Sequence, residues 1–275
     1  MAISDSDFEQ LRDFIYNICG IYFHTSKKFF LDNRLSRRMT ATGVKAFQDY
    51  FMLLKSPQGS EELTFLMNEV TTNETYFFRN VSQLAAVENM LLPELVEIKS
   101  KMGIHKLRIW SAASSSGEEA YTLAMILLEK QSKLLKEWTI EIVGTDINET
   151  VIARANEGIY NAYSVRNIPD AYREKYIRED SGMCILSPDI KKFVTFNKLN
   201  LYEDAKMAIM ESFDLIFCAN VLIYFDAASK SKVVQHIYNN LQPHGYFFVG
   251  QSESLHGVSD KFKIVHLPSC FAYKK

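Results

Sequence analysis

Polar and acidic side chains follow four predicted strands at the points where the strands end. In chain order these are Glu118 and Glu119, which follow Gly117, then Asp146, then Asn200, then Asn220 with Tyr224. Because the carboxyl ends of parallel strands meet at one edge of a doubly wound sheet, we expect these side chains to form one ligand site.

The turn that leads to Gly117 is made of small and hydroxyl residues and lacks the G-x-G-x-x-G pattern of a dinucleotide site. The two carboxylates after it repel phosphate and suit a cationic ligand with hydroxyl groups. S-adenosylmethionine, with its ammonium, sulfonium and ribose hydroxyls, is such a ligand. Glu118 and Glu119 are both candidates for this contact.

Each polar group also has a purely structural interpretation. Acidic residues are favoured in the first turn of any helix by the helix dipole. Asp146 with Glu149 fits a capping-box pair as well as it fits a contact to ribose. Asn200 fits an ordinary turn as well as a contact to adenine or ribose. The convergence of four strand ends favours the site over these alternatives.

A polar segment with interspersed aromatics, residues 70–80, precedes the first strand. Arg79 is suited to bind a carboxylate bidentately, and Tyr76, Phe77 and Phe78 are expected to shield it from water. The alternative is an interdomain hinge packed by these aromatics.

The composition excludes several classes of protein. The chain of 275 residues carries a formal charge of −2, which argues against general nucleic-acid binding. It lacks the G-x-S-x-G, H-E-x-x-H and P-loop motifs.

The cysteines of the chain are far apart, so we expect reduced thiols and no metal site. With no signal-peptide pattern and no apolar run that spans a bilayer, we expect a cytoplasmic protein, by default a monomer. The cysteines are Cys19, Cys184, Cys218 and Cys270.

Residues 1–85 are predicted to be wholly helical and to form a small bundle. The apolar spacing predicts helices from Ser4 or Ser6 to near Gly20, from about Ser26, over Ala46–Leu54 and over Glu61–Val70.

The second helix carries a basic face. Arg34, Arg37 and Arg38 are spaced by i, i+3 and i+4, with Lys27 and Lys28 nearby. The face is either a solvated helix surface or a docking patch for an acidic partner.

Residues 86–275 alternate between strand and helix, which predicts an α/β fold with helices on both faces of a parallel sheet. The segment from Tyr160 to Lys192 breaks the alternation and predicts a small inserted subdomain. The chain closes with an antiparallel hairpin, residues 262–267 and 271–273. Predicted strands are Leu107–Trp110, Ile140–Thr145, Phe193–Phe196, Phe213–Cys218 and Tyr246–Val249; predicted helices are Glu118–Glu129, Asn148–Asn156 and Ser229–Leu241, the last ended by Pro243 and Gly245.

Five segments resemble the CheR-type chemotaxis receptor glutamate methyltransferases: residues 71–79, 110–121, 144–147, 217–225 and 250–255. The basic helix, residues 33–38, matches as well. The resemblance implies a Rossmann-like S-adenosylmethionine-dependent methyltransferase sheet in residues 86–275, an N-terminal helical bundle domain in residues 1–85, and a small antiparallel β-subdomain inserted at about 160–192.

The same resemblance implies the roles of individual residues. With it, we assign the ligand contact to Glu119 and solvation of the helix end to Glu118. We expect Arg79 and Tyr224 to orient the acceptor carboxylate or the methionyl carboxylate of the cofactor. Ala219 departs from the family pattern, since many relatives carry arginine there. The residues implied to bind S-adenosylmethionine are Asn73, Thr75, Arg79, Glu119, Asp146, Asn200, Leu201, Asn220 and Val221.

The implied reaction is methyl transfer to glutamate side chains of chemotaxis receptors, which yields methyl esters and S-adenosylhomocysteine and serves sensory adaptation. The implied partners are the cytoplasmic helices of transmembrane chemoreceptors, docked on Arg34, Arg37 and Arg38. In some relatives the inserted subdomain also binds a receptor C-terminal tether peptide.

Two alternatives remain: a methyltransferase with another substrate, and a cofactor-binding signalling module that does not methylate receptors. The sequence Asn220-Val-Leu-Ile-Tyr differs from the Asn/Asp-Pro-Pro-Tyr of enzymes that methylate nitrogen, which counts against a nitrogen acceptor.

Overall fold

Four helices form the amino-terminal part of the protein in this computed structural model, which describes residues 3–131, 133–210 and 212–275. Their apolar faces meet in a core that includes Leu11, Ile15, Leu31 and Leu35, all with 0% exposure. The predicted small bundle is confirmed. Its helices are α1 (Asp5–Cys19), α2 (Lys28–Thr42), α3 (Phe47–Lys55) and α4 (Ser60–Val70).

The ends of α1 follow from local chemistry. The Ser4 hydroxyl accepts a hydrogen bond from the Asp7 amide at 3.0 Å and caps the first turn. Gly20 ends the helix with a φ of 73°, a left-handed conformation that glycine adopts without strain. Helix α2 begins two residues later than predicted, after a 3-10 turn at Thr25–Lys27.

The segment between the bundle and the sheet, residues 71–80, is not helical, so the prediction that residues 1–85 are wholly helical is wrong for this segment. The reason lies in its hydrogen bonds to other elements. The Phe77 amide donates to the Ser164 carbonyl at 3.0 Å, and the Phe78 amide donates to the Thr122 hydroxyl at 3.2 Å. Helix resumes with α5 (Val81–Ala86), a π-helical turn (Val87–Leu91) and α6 (Leu92–Lys101).

A seven-stranded sheet forms the larger part of the protein. Its strands are β1 (Lys106–Ala112), β2 (Thr139–Asp146), β6 (Val194–Lys198), β7 (Phe213–Cys218), β8 (Leu241–Val249), β9 (Lys263–Leu267) and β10 (Cys270–Lys274). The spatial order is β6-β2-β1-β7-β8-β10-β9. The first five strands are parallel, and β10 pairs in antiparallel fashion with both β8 and β9. Strand order reverses beside β1, and ligands of such sheets bind at the carboxyl ends of the strands at this point.

Helices cover both faces of the sheet, and the predicted α/β class is confirmed. Every residue of β7 is buried, as expected for a central parallel strand. The helices between the strands of this sheet are α7 (Glu118–Gln131), α8 (Glu149–Glu157), α12 (Asp204–Ala208) and α13 (Ala227–Asn240).

The assignment of Pro243 and Gly245 to the end of the last helix is wrong. Helix α13 ends at Asn240, and β8 starts at the next residue and contains both. The pairing of β7 with β8 shifts register between Phe213 and Leu215, which gives the proline a place where it needs no ladder hydrogen bond.

The inserted antiparallel β-subdomain is confirmed as a second, three-stranded sheet in the order β3-β5-β4. Its strands are β3 (Ile159–Tyr160), β4 (Ile177–Asp180) and β5 (Met183–Leu186), and its short helices are α9 (Ala162–Val165), α10 (Asp170–Tyr176) and α11 (Pro188–Lys191). The domain limits of 1–85 and 86–275 stay predictions. Within the described ranges, no helix combines the length and apolarity needed to cross a bilayer.

Candidate active site

A cavity of about 730 Å³ opens at the carboxyl edge of the large sheet, against the helical bundle. Its size is in the range of small-molecule sites. The residues expected to bind the cofactor or act in catalysis all line this cavity: Asn73, Thr75, Arg79, Glu119, Asp146, Asn200, Leu201, Asn220, Val221 and Tyr224.

Asp146, at the end of β2, joins two strand ends. Its Oδ2 accepts from the Ser115 amide and its Oδ1 from the Asn148 amide, both at 2.9 Å. Burial raises the pKa of the Asp146 carboxyl against the effect of these amides. Asp146 also lines the cavity, where its carboxylate is an acceptor suited to ligand hydroxyl groups.

The proposed capping pair of Asp146 and Glu149 is not formed. The cap of α8 is Asn148, whose side-chain oxygen accepts from the Thr150 and Val151 amides at 2.9 and 3.2 Å. The capping alternative for Asp146 is therefore excluded.

Gly117 permits the close approach of the β1 turn to the sheet. Its φ is 92°, and a Cβ there would lie 2.8 Å from Phe196 Cζ and 3.0 Å from Ala155 Cβ. The single glycine of this turn is thus required by backbone conformation and by packing.

Glu119 is half-buried at the start of α7 and accepts from the Ser111 hydroxyl at 2.7 Å. Burial raises the pKa of Glu119 to about 7, a rise opposed by the Ser111 hydrogen bond and the charge of Arg79 and increased by the charge of Glu253. Glu119 lines the cavity, and its contact to the ligand stays a prediction.

The assignment of Glu118 to solvation of the helix end is wrong. Glu118 is 1% exposed, and its carboxylate accepts from Ser116 Oγ at 2.8 Å and from Ser164 Oγ at 3.1 Å. Because Ser164 belongs to α9, Glu118 joins the turn after β1 to the inserted subdomain. Tyr160 adds a second link, since its hydroxyl donates to the Ser116 carbonyl at 2.7 Å.

Arg79 is held at the cavity by its own segment. Its Nη1 donates to the Glu74 carbonyl at 2.9 Å, and its guanidinium carbon lies 5.5 Å from the centre of the Tyr76 ring. Tyr76 lines the cavity, whereas Phe77 and Phe78 belong to the core. The expectation that these two phenylalanines shield the site from water is wrong.

Asn200 ties the sheet to the helical bundle. Its Nδ2 donates to the Ile18 carbonyl at 2.7 Å, and its Oδ1 accepts from the Tyr202 amide at 3.0 Å in a turn. The turn interpretation is therefore observed, although Asn200 also lines the cavity. A second tie is the Tyr22 amide, which donates to the Tyr224 carbonyl at 3.0 Å.

Sequence reasoning missed the contribution of the bundle to the cavity wall. Tyr22, His24, Lys27 and Phe30, from the α1–α2 loop and the start of α2, all line it. These residues are remote in sequence from the strand ends, and only the tertiary fold brings them to the site.

The basic face of α2 divides into two parts. Arg38 pairs with Glu62 of α4 at 2.6 Å, and its side chain is only 17% exposed, so its assignment to docking is wrong. Arg34 and Arg37 each lie 3.7 Å from Glu69, with 30% and 64% of their side chains exposed. Arg34 and Arg37 remain as candidates for docking.

Comparison with known proteins adds three relatives that match along most of their length. A chemotaxis protein methyltransferase 2 of Vibrio cholerae is 38% identical, over 100% of this chain and 94% of the relative. A chemotaxis protein methyltransferase of Borreliella burgdorferi is 35% identical, over 93% and 90%. A chemotaxis protein methyltransferase 1 of Pseudomonas aeruginosa is 31% identical, over 100% and 99%.

Two family models cover the chain in succession. The CheR methyltransferase all-alpha domain matches residues 6–71, and the CheR methyltransferase S-adenosylmethionine-binding domain matches residues 73–271. The two models meet where α4 ends and the non-helical segment begins. With the cavity at the carboxyl edge of the sheet, these matches establish that the chain belongs to the CheR methyltransferase family, whose cofactor is S-adenosylmethionine.

Proposed function

We propose that the protein transfers a methyl group from S-adenosylmethionine to glutamate side chains of chemotaxis receptors and produces glutamate methyl esters and S-adenosylhomocysteine. The observation that carries the proposal is the convergence of Arg79, Glu119, Asp146 and Tyr224 in one cavity of a chain whose relatives are chemotaxis protein methyltransferases.

The donors and acceptors of the cavity fit the cofactor group by group. Glu119 suits its ammonium, Arg79 suits its carboxylate, and the carboxylate of Asp146 suits ribose hydroxyls. Asn220 and Val221 complete this wall from the end of β7. When bound, S-adenosylmethionine supplies a sulfonium-activated methyl group.

The protein needs no general base for this reaction. A glutamate carboxylate is already ionised at pH 7, because its usual pKa is about 4.3. The residues of the cavity have to orient the acceptor and limit its hydration, and positioning of reactants alone supplies several kcal/mol. Tyr224 donates a hydrogen bond to the acceptor carboxylate without neutralising it, and Tyr76 covers the site from the linker side.

The acceptor helix docks on Arg34 and Arg37. Receptor helices rich in glutamate are acidic, and the two guanidinium groups share a single carboxylate, Glu69, at 3.7 Å. Positive charge therefore remains to steer an acidic helix towards the cavity. Replacing both arginines with alanine should weaken receptor methylation and leave cofactor affinity unchanged. Equal loss of cofactor affinity, measured by calorimetry, would contradict docking.

The inserted subdomain binds a receptor tail peptide. Strand β4 is an edge of the three-stranded sheet, and its last three residues are exposed, so its free edge is open to an added strand. Fluorescence anisotropy with a labelled receptor tail peptide tests this. Peptide affinity that is unchanged when the exposed β4 residues Arg178, Glu179 and Asp180 are replaced would contradict it.

We also propose that the protein acts in the cytoplasm as a monomer, where the cytoplasmic helices of transmembrane receptors are accessible. Light scattering in line with gel filtration tests the oligomeric state, and a dimer mass would contradict it.

Incubation with radiolabelled S-adenosylmethionine and receptor-containing membranes tests the reaction. We expect label on the receptor that alkali releases as methanol, since carboxylate esters are base-labile. Alkali-stable label would indicate another acceptor atom, and cofactor binding without receptor label would indicate a signalling module.

A further inference from the structure

Glu253 is a buried carboxylate behind the wall of the cavity, in the segment that follows β8. It is 6% exposed. Its Oε2 accepts from the Asn220 amide at 2.7 Å and from the Gly250 amide at 2.6 Å, and its Oε1 accepts from the Ile223 amide at 3.2 Å. One side chain thus binds three backbone donors in two loops.

The loop after β7 depends on these hydrogen bonds for its conformation. Asn220 has a φ of 63°, which is unfavourable for a residue with a Cβ and needs support from its surroundings. Glu253 provides that support at the Asn220 amide itself. Its hydrogen bond to Ile223 fixes the same loop one residue before Tyr224.

Gly250 shows how tightly the two loops approach. A Cβ at this position would lie 2.7 Å from Glu253 Oε2 and 2.8 Å from Asn220 Nδ2. Glycine is therefore required if the carboxylate is to reach both amides.

The charge of Glu253 also reaches the cavity. Glu119 accepts a hydrogen bond from the Ser111 hydroxyl of β1 and lies within the electrostatic reach of the Arg79 guanidinium and the Glu253 carboxylate. The like charge of Glu253 raises the pKa of Glu119, in addition to the effect of burial.

We propose that Glu253 is a positioning residue for S-adenosylmethionine: its three backbone hydrogen bonds hold the loop of Asn220 and Tyr224 in the conformation that binds the cofactor. This role rests on the proposed function. Glu253 does not line the cavity, and it acts through the loop of Asn220 and Tyr224.

The test is calorimetric titration of S-adenosylmethionine into the full-length protein between pH 5.5 and 7.5. Glu253→Gln replaces one carboxylate oxygen with an NH₂ group, so at least one of the three backbone amides loses its acceptor. We therefore expect the Kd for S-adenosylmethionine to rise about tenfold or more. With the like charge gone, the pH at which affinity falls should move to lower values. Glu253→Asp keeps the charge on a shorter side chain and should weaken binding without this movement.

Asp214→Asn is the matched control. Asp214 is 3% exposed and also accepts from a backbone amide, that of Arg108 at 2.8 Å, but it lies at the opposite end of β7. The substitution Asp214→Asn should lower the unfolding temperature without changing cofactor affinity or the pH dependence of that affinity.

An unchanged Kd in both Glu253 variants, each folded by circular dichroism, would overturn this role alone. A higher Kd with an unmoved pH dependence in Glu253→Gln would overturn the effect of the Glu253 charge on Glu119. Failure of the unsubstituted protein to bind the cofactor would overturn the proposed function, and this role with it.

Discussion

Arg38 and Glu62 form an ion pair between α2 and α4. This pair gives Arg38 a structural role, whereas Arg34 and Arg37 of the same basic face are candidates for docking. Arg38 Nε donates to Glu62 Oε1 at 3.0 Å, and Nη2 donates to Oε2 at 2.6 Å. The Tyr50 hydroxyl donates to the same Oε1 at 2.6 Å. Glu62 is 8% exposed, so Arg38→Ala leaves a nearly buried carboxylate with one neutral donor.

The expected cost follows from this burial. Removing one partner of a fully buried ion pair costs about 3–5 kcal/mol, whereas a surface pair contributes about 0–1 kcal/mol. Since Arg38 keeps 17% exposure, we expect about 2–3 kcal/mol for Arg38→Ala. For a protein of this size that lowers Tm by roughly 4–12 °C. Arg37 is 64% exposed and lies 3.7 Å from Glu69, so Arg37→Ala should lower the free energy of unfolding by less than about 0.5 kcal/mol.

Thermal unfolding followed by circular dichroism measures the difference, with Arg37→Ala as the matched control. Receptor methylation is then assayed below both transitions. We expect Arg38→Ala to be less stable but close to the unsubstituted protein in methylation rate, and Arg37→Ala to show the reverse. Normal stability of Arg38→Ala together with a loss of receptor methylation would refute the structural role.

Three further predictions concern the cavity. Cofactor affinity should increase as pH rises through about 7, because burial raises the pKa of Glu119 to about 7 and only the ionised carboxylate attracts a cation. Calorimetry on Glu119→Gln should show that the pH dependence of affinity is lost. A pH dependence that persists in this variant would contradict the assignment of Glu119 as a ligand contact. Asp146→Asn deprives one backbone amide of its acceptor and should cost about 1–3 kcal/mol of stability, with weaker cofactor binding, by denaturant unfolding and calorimetry. Gly117→Ala places a Cβ 2.8 Å from Phe196 and should destabilise the protein by roughly 1–3 kcal/mol; unchanged thermal unfolding would show that the turn relaxes.

The strand ends were predictable because their signals are local. A short apolar run followed by small or acidic residues marks the end of a buried strand, so Glu119, Asp146 and Asn220 were placed correctly at the sheet edge. The inserted subdomain was predictable for a similar reason, since it interrupts an otherwise regular alternation.

Contacts between distant segments left no local signal. The bond from Asn200 to Ile18 joins residues 182 positions apart, and Arg38 meets Glu62 24 positions away on another helix. The charge spacing of α2 is the same whether an arginine faces solvent or a neighbouring helix. Phe77 was misplaced for the same reason, because its amide partner, Ser164, lies in the inserted subdomain.

Peptide mapping by mass spectrometry of a receptor methylated by the protein is the most direct test of its central activity. We expect methyl groups on glutamate side chains of the receptor's cytoplasmic helices, lost on mild alkaline treatment and absent without S-adenosylmethionine. Arg79→Ala should abolish them. Methylation confined to lysine or to other side chains, or an unmodified receptor in the presence of bound cofactor, would contradict the proposed function.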